Sequence, residues 1–434
     1  MLTSIIIAFV CVIFLMLLEV PVAFAFAIGT VALLFVNGID PTMAFSGAFL
    51  ILQSYVFLCL PLYILLGVVI DSSGIADRLC EWFVTVVGRL RGGLGVAVVL
   101  TNGLFGAMSG ASLSALAGLG KALLPTLEQR GYPKNYSIAL LIPSATLSLL
   151  IPPSGGMIIF GFMGRLPITS CFLAPLIPGV IFMLFLCVVH LVMCRRIPSI
   201  KATEKVPFSS WARNARKQTW SASLGLLVPV VCLGGIYAGL YTPTEAAGVG
   251  ALYALFLGLL VYRKINFKKL CANLLSTAEV TASIVVLIFV FSALSKVLII
   301  ARVSETLLQL FLAISDNLYV QLAMINLLMV IMGMIMDDSS AILVSAVVLL
   351  PVGTALGIDP YHFAAMTAVN LAMGIMTPPV AALLYLGGHI AKLPVNTYVG
   401  YVMIMIVFAM LPALLLTMYV PALSTYLPHL VMGR

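Results

Sequence analysis

Apolar stretches long enough to cross a bilayer recur along the whole chain, separated by short polar intervals. The first, LTSIIIAFVCVIFLMLLEV, has no basic amino-terminal region and no small-residue cleavage motif, which indicates a retained span rather than a signal peptide. Residues 2–36 are too long for one upright helix, so Glu19 and Pro21 are candidates for a turn between two spans. Because apolar and polar residues do not alternate, the pattern predicts an all-α polytopic membrane protein rather than a barrel.

Two basic intervals indicate how the chain is oriented in the membrane. The longer one, RRIPSIKATEKVPFSSWARNARKQ, spans residues 195–218, and a second basic cluster lies at residues 263–269. Both are expected to face the cytoplasm by the positive-inside rule. The longer interval divides the chain into halves of similar length. Each half carries a charged amphipathic segment, residues 76–93 and 301–317, which predicts either a helix at the membrane interface or an ordinary loop helix.

Each half also interrupts an apolar run with a proline pair. The two stretches are LSLLIPPSGG (147–156) and LAMGIMTPPVAALLYLGG (371–388), and the pairs at 152–153 and 378–379 are 226 residues apart. The same shift superposes Ser-Ala, Leu-Leu-Pro and Gly, in that order, upstream of the prolines. Matching interruptions of this kind predict two inverted-topology repeats, related by an axis in the membrane plane, whose breaks meet near the midplane.

A broken helix exposes backbone groups that an intact span satisfies internally. Proline removes one amide donor and costs about 3 kcal/mol inside a helix, and lipid offers no water to the freed carbonyls. Such carbonyls can bind a small hard cation, and the amide end of the second half-helix favours a carboxylate. The alternative is an aqueous loop between two separate spans, although the flanking apolar stretches are short for full crossings.

A cluster of small residues precedes each break. The segments are NGLFGAMSGASLSALAGLG (102–120) and MVIMGMIMDDSSAILVSAVVLLP (329–351), and both predict a re-entrant helical hairpin whose tip stops partway through the membrane. Small residues let two backbones approach each other and a ligand closely. The alternative is an ordinary contact between two helices, which small residues also favour.

Asp337 and Asp338 are acidic residues within a membrane hairpin, where a charge costs about 2.5–3.5 kcal/mol on insertion scales. Either carboxylate could bind a cation, cap the next helix or carry a proton. For Asp338 we favour capping, and for Asp337 capping and ion binding stay open. In YTPTEAAG (241–248), Thr242 and Glu245 predict a capping box rather than chemistry.

Composition excludes several classes of function. The chain is 63% hydrophobic and 8% charged, and its net charge of +8 resides in short loops, which argues against a nucleic-acid partner. Eight single cysteines without a CxxC or Cys/His cluster indicate packing residues, with no transition-metal site implied. We find no catalytic constellation and no phosphate-binding glycine loop, so we expect neither an enzyme nor a cofactor. An ion gradient or a partner must then supply the energy.

Five segments together resemble the large membrane subunit of tripartite ATP-independent periplasmic (TRAP) transporters. They are GAMSGASLSALAGLGKALLPTLEQRGYP, LLIPSATLSLLIPPSGG, GLYTPTEAAG, GMIMDDSSA and GIDPYHFAAMTAVNLAMGIMTPPVAALL. The resemblance implies an elevator-type secondary transporter of the bacterial inner membrane that imports organic acids with sodium, such as C4-dicarboxylates, sialic acid or sugar acids. It also implies two partners, a small four-helix membrane subunit and a periplasmic substrate-binding protein.

The resemblance further implies site residues. A first sodium site would use Gly106, Ser109, Ser148, Ile151 and Pro152. A second would use Gly333, Gly374, Thr377 and Val380. Weaker candidates for substrate contact are Ser112, Ser154, Gly155, Asp337, Asp338 and Pro378. The chain departs from the family pattern at Gly110-Ala111, where Gly-Ser is more usual, and at the Asp pair, where a single aspartate is usual.

The expected organisation has five segments. Residues 1–93 are scaffold helices with an interfacial arm, and 94–170 hold the first hairpin and broken helix. Residues 171–317 are scaffold helices with the basic loop and the second arm, 318–392 hold the second hairpin and broken helix, and 393–434 form a C-terminal helix.

Two other functions stay open: a stand-alone proton-coupled anion transporter that uses Asp337, and a channel or non-transporting membrane scaffold.

Overall fold

A computed structural model of the protein describes residues 2–18, 20–87, 91–200 and 208–432. The helices of the first half are α1 (Leu2–Leu17), α2 (Val22–Val36), α3 (Pro41–Leu52), α4 (Cys59–Ser73), α5 (Ile75–Val87), α6 (Gly93–Ser109), α7 (Ser112–Gln129), α8 (Lys134–Ala145), α9 (Leu147–Leu150), α10 (Gly155–Gly164), α11 (Ile168–Leu173) and α12 (Leu176–Arg196).

The helices of the second half are α13 (Phe208–Tyr237), α14 (Pro243–Phe256), α15 (Phe267–Ile300), α16 (Val303–Ile314), α17 (Leu318–Ile335), α18 (Asp338–Val344), α19 (Leu350–Ala355), α20 (Pro360–Gly374), α21 (Ala382–Ala391), α22 (Val399–Met405), α23 (Leu411–Tyr419) and α24 (Ala422–Met432). Short 3-10 turns cover Tyr55–Leu58 and Val395–Thr397, and single π-helical turns cover Leu257–Val261, Ser345–Leu349 and Ile406–Met410.

Within the described residues, nine helical stretches are long and apolar enough to cross a membrane. This confirms the predicted all-α polytopic membrane fold. The opening apolar run forms two helices, α1 and α2, that pack side by side as expected for residues 2–36. Gly29 allows their close approach, because a Cβ there would lie 2.6 Å from Val12 Cγ2. Glu19 lies outside the described residues.

The two halves repeat the same packing. Helices α2 and α4 of the first half correspond to α14 and α15 of the second under the shift of 226 residues. Helix α4 of the first half packs on α14 of the second, and α15 of the second half packs on α2 of the first. The same pair of equivalent helices is therefore in contact twice, each time across the two halves. The predicted repeat is therefore an interlocked pair rather than two separate bundles.

The breaks and hairpins interlock in the same way. Helix α10, which follows the first break, packs on α18 of the second hairpin, and α21, which follows the second break, packs on α7 of the first hairpin. Helices α8 and α20 lie at the centre, with every residue from Tyr136 to Ala145 and from Tyr361 to Ala372 buried. A helix buried on all sides must be apolar around its circumference, as both of these largely are.

The basic interval 195–218 is not a loop throughout, contrary to the expectation. Helix α13 begins at Phe208, and residues 201–207 lie outside the described residues. Helix α5 supplies polar partners along α13: near its start the Trp211 indole donates to the Thr85 carbonyl at 2.8 Å, and farther along Arg78 donates to Ser221 at 2.8 Å. The charge-rich sequence therefore contains the first turns of a helix that packs on α5 while Arg213, Arg216 and Lys217 stay exposed.

Both amphipathic segments are helical, as α5 and α16. Their position at a membrane interface stays a prediction. The capping box predicted for Thr242 and Glu245 is confirmed at the start of α14: the Thr242 amide donates to Glu245 Oε2 at 2.8 Å, and the Glu245 amide donates to Thr242 Oγ1 at 3.2 Å.

Candidate ion and substrate site

The first break lies against the first hairpin. Helix α9 ends at Leu150, the chain is extended at Ile151, and α10 starts at Gly155. A Cβ on Gly106 would fall 2.7 Å from both Cα and Cβ of Ser148, so only glycine allows α6 to lie this close to the break. Ser148 is fully buried, and its hydroxyl donates to the Ala145 carbonyl at 2.8 Å.

The second break repeats this contact with glycine on both sides. A Cβ on Gly374 would lie 2.6 Å from Gly333 Cα and 2.8 Å from the Val330 carbonyl oxygen. Past the end of α20, the Thr377 amide donates to the Gly374 carbonyl at 2.9 Å, and its hydroxyl donates to the Met373 carbonyl at 2.6 Å. Residues assigned to each sodium site from two distant segments are therefore neighbours in space. Their role as ion ligands stays a prediction.

The two breaks differ in exposure. Pro152 and Pro153 are buried, whereas Pro378 is half-buried and Pro379 is exposed. Val380, assigned to the second sodium site, is 41% exposed. Each proline pair is joined by a cis peptide bond.

A buried polar contact joins each hairpin to its broken helix about two helical turns before the proline pair. Asn102 of α6 donates to Ser144 of α8 at 3.0 Å, and Asn370 of α20 donates to Asn326 of α17. Positions 144 and 370 are related by the repeat shift. Sequence reasoning missed these residues, although an Asn or Ser at equivalent places in two apolar helices is a detectable signal.

The tips of the two hairpins touch each other. Ser112, the first residue of α7, donates to Asp338 Oδ2, the first residue of α18, at 3.2 Å. These positions are separated by 226 residues, so they are equivalent under the repeat shift. Two equivalent residues can meet only near the axis that relates the halves. The axis predicted from sequence therefore passes through this pair.

The helix cap is Asp337, for which capping and ion binding were both open, and not Asp338, for which we favoured capping. Asp337 is the helix cap: its carboxylate accepts from the amides of Ser339 and Ser340 at 3.1 and 3.3 Å and from the Ser340 hydroxyl at 2.6 Å. Asp338 lies within the first turn, where it contacts Ser112 and the Ser339 amide. The prediction that Asp338 is the cap was wrong by one residue. Asp337 is the last residue with an extended backbone, and the helix begins at Asp338.

The other substrate candidates lie around the same tips. The Gly155 amide donates to the Gly110 carbonyl at 3.0 Å, which fastens the first hairpin tip to α10. Ser154, at the amino end of α10, is fully buried, and its hydroxyl has no hydrogen-bond partner. Ser109 ends α6, and its side chain lies outside the described residues.

A cavity of about 500 Å³ opens beside the hairpin tips. One wall is formed by α4 and α15, and the other by α7, α10 and α18, with Gly110, Gly155 and Asp338 among the lining residues. Asp71 and Lys121 also line it, and both are exposed. Sequence reasoning missed both residues. Asp71 was detectable, because it is a lone charge in the apolar run CLPLYILLGVVIDSS and such a charge is a functional signal by default.

Comparison with known proteins agrees with this arrangement. Residues 9–423 match the family model described as the tripartite ATP-independent periplasmic transporter, DctM component. The chain is 31% identical to the C4-dicarboxylate TRAP transporter large permease protein DctM of Pseudomonas aeruginosa, over 87% of each chain. It is also 31% identical to the sialic acid TRAP transporter large permease protein SiaM of Vibrio cholerae, over 88% of each chain.

Two further similarities extend the comparison. The chain is 30% identical to the isethionate TRAP transporter permease protein DctMQ of Oleidesulfovibrio alaskensis, matching 94% of this chain but 64% of that one. Its fold is similar to the crystal structure of the Alcanivorax borkumensis YdaH transporter, with a TM-score of 0.63 and 17% identity, over 92% of this chain and 89% of that chain.

Proposed function

Because the chain belongs to the DctM family of tripartite ATP-independent periplasmic transporters, we propose that it imports a carboxylate-containing organic acid together with sodium. It is a TRAP transporter large permease of the inner membrane. Sodium coupling and the class of substrate are the parts that we propose.

The observation that carries sodium coupling is the matched contact at the two breaks. Gly106 against Ser148 and Gly333 against Gly374 bring hairpin backbone within van der Waals distance of helix ends. Helix ends leave carbonyl oxygens without intrahelical partners, and carbonyl and hydroxyl oxygens suit a small hard cation. Under the repeat shift, Ser148 corresponds to Gly374, which is one helical turn before Thr377. Each break therefore has one hydroxyl near it, an oxygen ligand without a fixed negative charge.

We propose an elevator mechanism, in which the hairpins and broken helices (α6–α10 and α17–α21) form the moving transport unit. The cavity lies between this unit and the scaffold helices α4 and α15, which supports the division. Sodium bound at the hairpin tips would order the substrate site, so the two affinities are reciprocal. Each net charge moved inward contributes about 2.3 kcal/mol per 100 mV.

We also propose two partners, a small four-helix membrane subunit and a periplasmic binding protein that delivers the acid. The similarity to DctMQ, of which this chain matches 64%, supports the first partner, because that relative has room for a second membrane component.

Substitution of Thr377 tests the sodium assignment. Thr377→Ala removes a hydroxyl at the second break and should lower apparent sodium affinity at least fivefold, with membrane insertion unchanged. The measurement is uptake into vesicles reconstituted with both partners, as a function of sodium concentration. Thr306→Ala is the matched control, because Thr306 also donates to the carbonyl four residues earlier but lies in α16, away from the breaks. Identical sodium activation curves for Thr377→Ala and the unaltered protein would refute the assignment.

The stand-alone proton-coupled alternative would use Asp337 as the proton carrier. Three donors already surround this carboxylate, an arrangement that supports a fixed cap over a titrating carrier. Uptake driven by a pH gradient in sodium-free buffer, without the binding protein, would favour that alternative. Equilibration without accumulation would favour a channel.

A further inference from the structure

We propose that the first turns of α13, together with α5, form a binding site for an acidic phospholipid. The ligand is a membrane lipid whose head group carries an anionic phosphate, such as phosphatidylglycerol. The site lies on the face that the basic clusters predict to be cytoplasmic, and none of the described residues of these two helices lines the cavity. The inference therefore does not depend on what is transported.

Helix α13 is longer than the hydrocarbon core of a bilayer. Its 30 residues span about 45 Å, whereas the core is about 30 Å thick. At the usual tilt of about 20°, roughly 12 Å of the helix must project beyond the hydrocarbon. The sequence from Leu224 to Tyr237 is apolar, so the projecting part is the amino end of the helix, where its charged residues lie.

One exposed stripe of α13 changes from cationic to apolar along the helix. Residues three and four apart share a helix face, and three exposed cations precede Trp220 at this spacing: Arg213, Arg216 and Lys217. Trp220 is 84% exposed, and the stripe continues with the exposed Leu224 and Leu227. Because tryptophan is typical of the membrane interface, the cations about 6 Å before it along the axis lie at the level of lipid phosphates.

The cations of this stripe have no internal counter-charge. Helix α13 contains no acidic residue, and Arg213, Arg216 and Lys217 form no ion pair with a carboxylate of the described residues. On the neighbouring helix α5, Asp77 and Glu81 are exposed, and neither forms an ion pair with the described cations. A phosphate from outside the chain can supply the negative charge, and the guanidinium fork matches phosphate oxygens.

The second basic cluster reaches the same place through Arg78 of α5. The Arg78 guanidinium donates to Ser221 of α13 at 2.8 Å and lies 4.0 Å from the ring centroid of Tyr262, which directly precedes the cluster at residues 263–269. Two basic intervals that are separate in sequence therefore meet around one side chain. Basic pockets of this kind between membrane helices bind acidic head groups.

All three tryptophans of the chain lie at this site, which favours a lipid over a soluble anion. The Trp82 indole donates to the Thr219 hydroxyl at 2.9 Å, and the Trp211 indole donates to the Thr85 carbonyl at 2.8 Å, so both join α5 to α13. Trp220 instead projects from the surface. A soluble phosphate would need only the cations, whereas a phospholipid also contacts the tryptophan and the apolar stripe beyond it.

Two lipids that differ only in head-group charge test the proposal. The permease is purified with its small subunit, and the lipids that remain bound are counted by native mass spectrometry. Dioleoyl phosphatidylglycerol and dioleoyl phosphatidylcholine are added at equal concentrations, so that the acyl chains are the same. We expect at least five times more bound phosphatidylglycerol than phosphatidylcholine.

Two variants with the same change of net charge show where the preference arises. The first removes the cations of the stripe together: Arg213→Gln, Arg216→Gln and Lys217→Gln. It should reduce the ratio of the two lipids to less than twofold, because the attraction to the phosphate is lost. The control removes three exposed cations near the ends of α7 and α12: Arg130→Gln, Arg195→Gln and Arg196→Gln. The control should keep the ratio of the unaltered protein.

Equal binding of the two lipids, or a preference that the first variant keeps, would overturn the proposal. Displacement of phosphatidylglycerol by a tenfold excess of glycerol phosphate would assign the site to a soluble phosphate instead. A preference that appears only after the small subunit is removed would show that this subunit covers the site, and would also overturn the proposal.

Discussion

At the scale of single residues, neighbouring aspartates have different roles. Asp337 caps α18 with three accepted hydrogen bonds, and Asp338 faces the cavity and the other hairpin. The sequence identified both as functional candidates but favoured the cap at Asp338, one residue late, because side-chain patterns do not fix the exact first residue of a helix.

Loss of the Asp337 cap should destabilise the protein. Asp337→Ala leaves the amides of Ser339 and Ser340 without their acceptor, and such losses cost about 1 kcal/mol. The measurement is the unfolding transition in detergent. Asp40→Ala, which removes the cap of α3, should cost a similar amount and leave sodium activation unchanged. Normal stability with abolished uptake in Asp337→Ala would instead assign this carboxylate to ion or proton coupling.

At the scale of elements, the broken helices and hairpins follow from sequence because prolines and small residues act locally. The proline pairs end α9 and stop α20, and the glycines let hairpin and helix approach. The cavity charges could not be predicted in the same way. Asp71 and Lys121 are 50 positions apart, and only the packing of α4 against the first hairpin makes them neighbours. The early start of α13 likewise involves a contact with α5, between the Trp211 indole and the Thr85 carbonyl.

A methyl group at Gly374 should separate the second hairpin from its broken helix. Its nearest neighbours would be backbone atoms of Gly333 and Val330, which cannot rotate aside. We expect Gly374→Ala to lower the thermal midpoint and to weaken sodium activation at least tenfold. Gly234→Ala is the matched control, since Gly234 lies inside α13 with no atom within 4 Å, and alanine there should stabilise by up to about 1 kcal/mol. Full sodium activation in Gly374→Ala would contradict a site at this contact.

At the scale of the whole molecule, the basic clusters predict which face is cytoplasmic. Cys271 is exposed in the first turns of α15, directly after the cluster at residues 263–269, whereas Cys59, Cys171 and Cys232 are buried. Labelling of the native Cys271 thiol can therefore show which side of the membrane this basic cluster faces.

A membrane-impermeant maleimide should label Cys271 in inside-out vesicles and not in right-side-out vesicles. Cys271→Ser should abolish the signal, because Cys11, the other exposed thiol, lies in the apolar helix α1. Labelling of Cys271 from the periplasmic side would invert the topology.

The meeting of Ser112 with Asp338 has one last consequence. In a transporter made of inverted repeats, the outward shape arises when each half adopts the conformation of the other, so two identical halves would favour neither side. Here a serine hydroxyl meets an aspartate on the axis that relates the halves, so exchanging the conformations of the two halves does not regenerate the same molecule. We therefore expect the carrier without substrate to favour one of its two states, because the two halves are not identical at this contact.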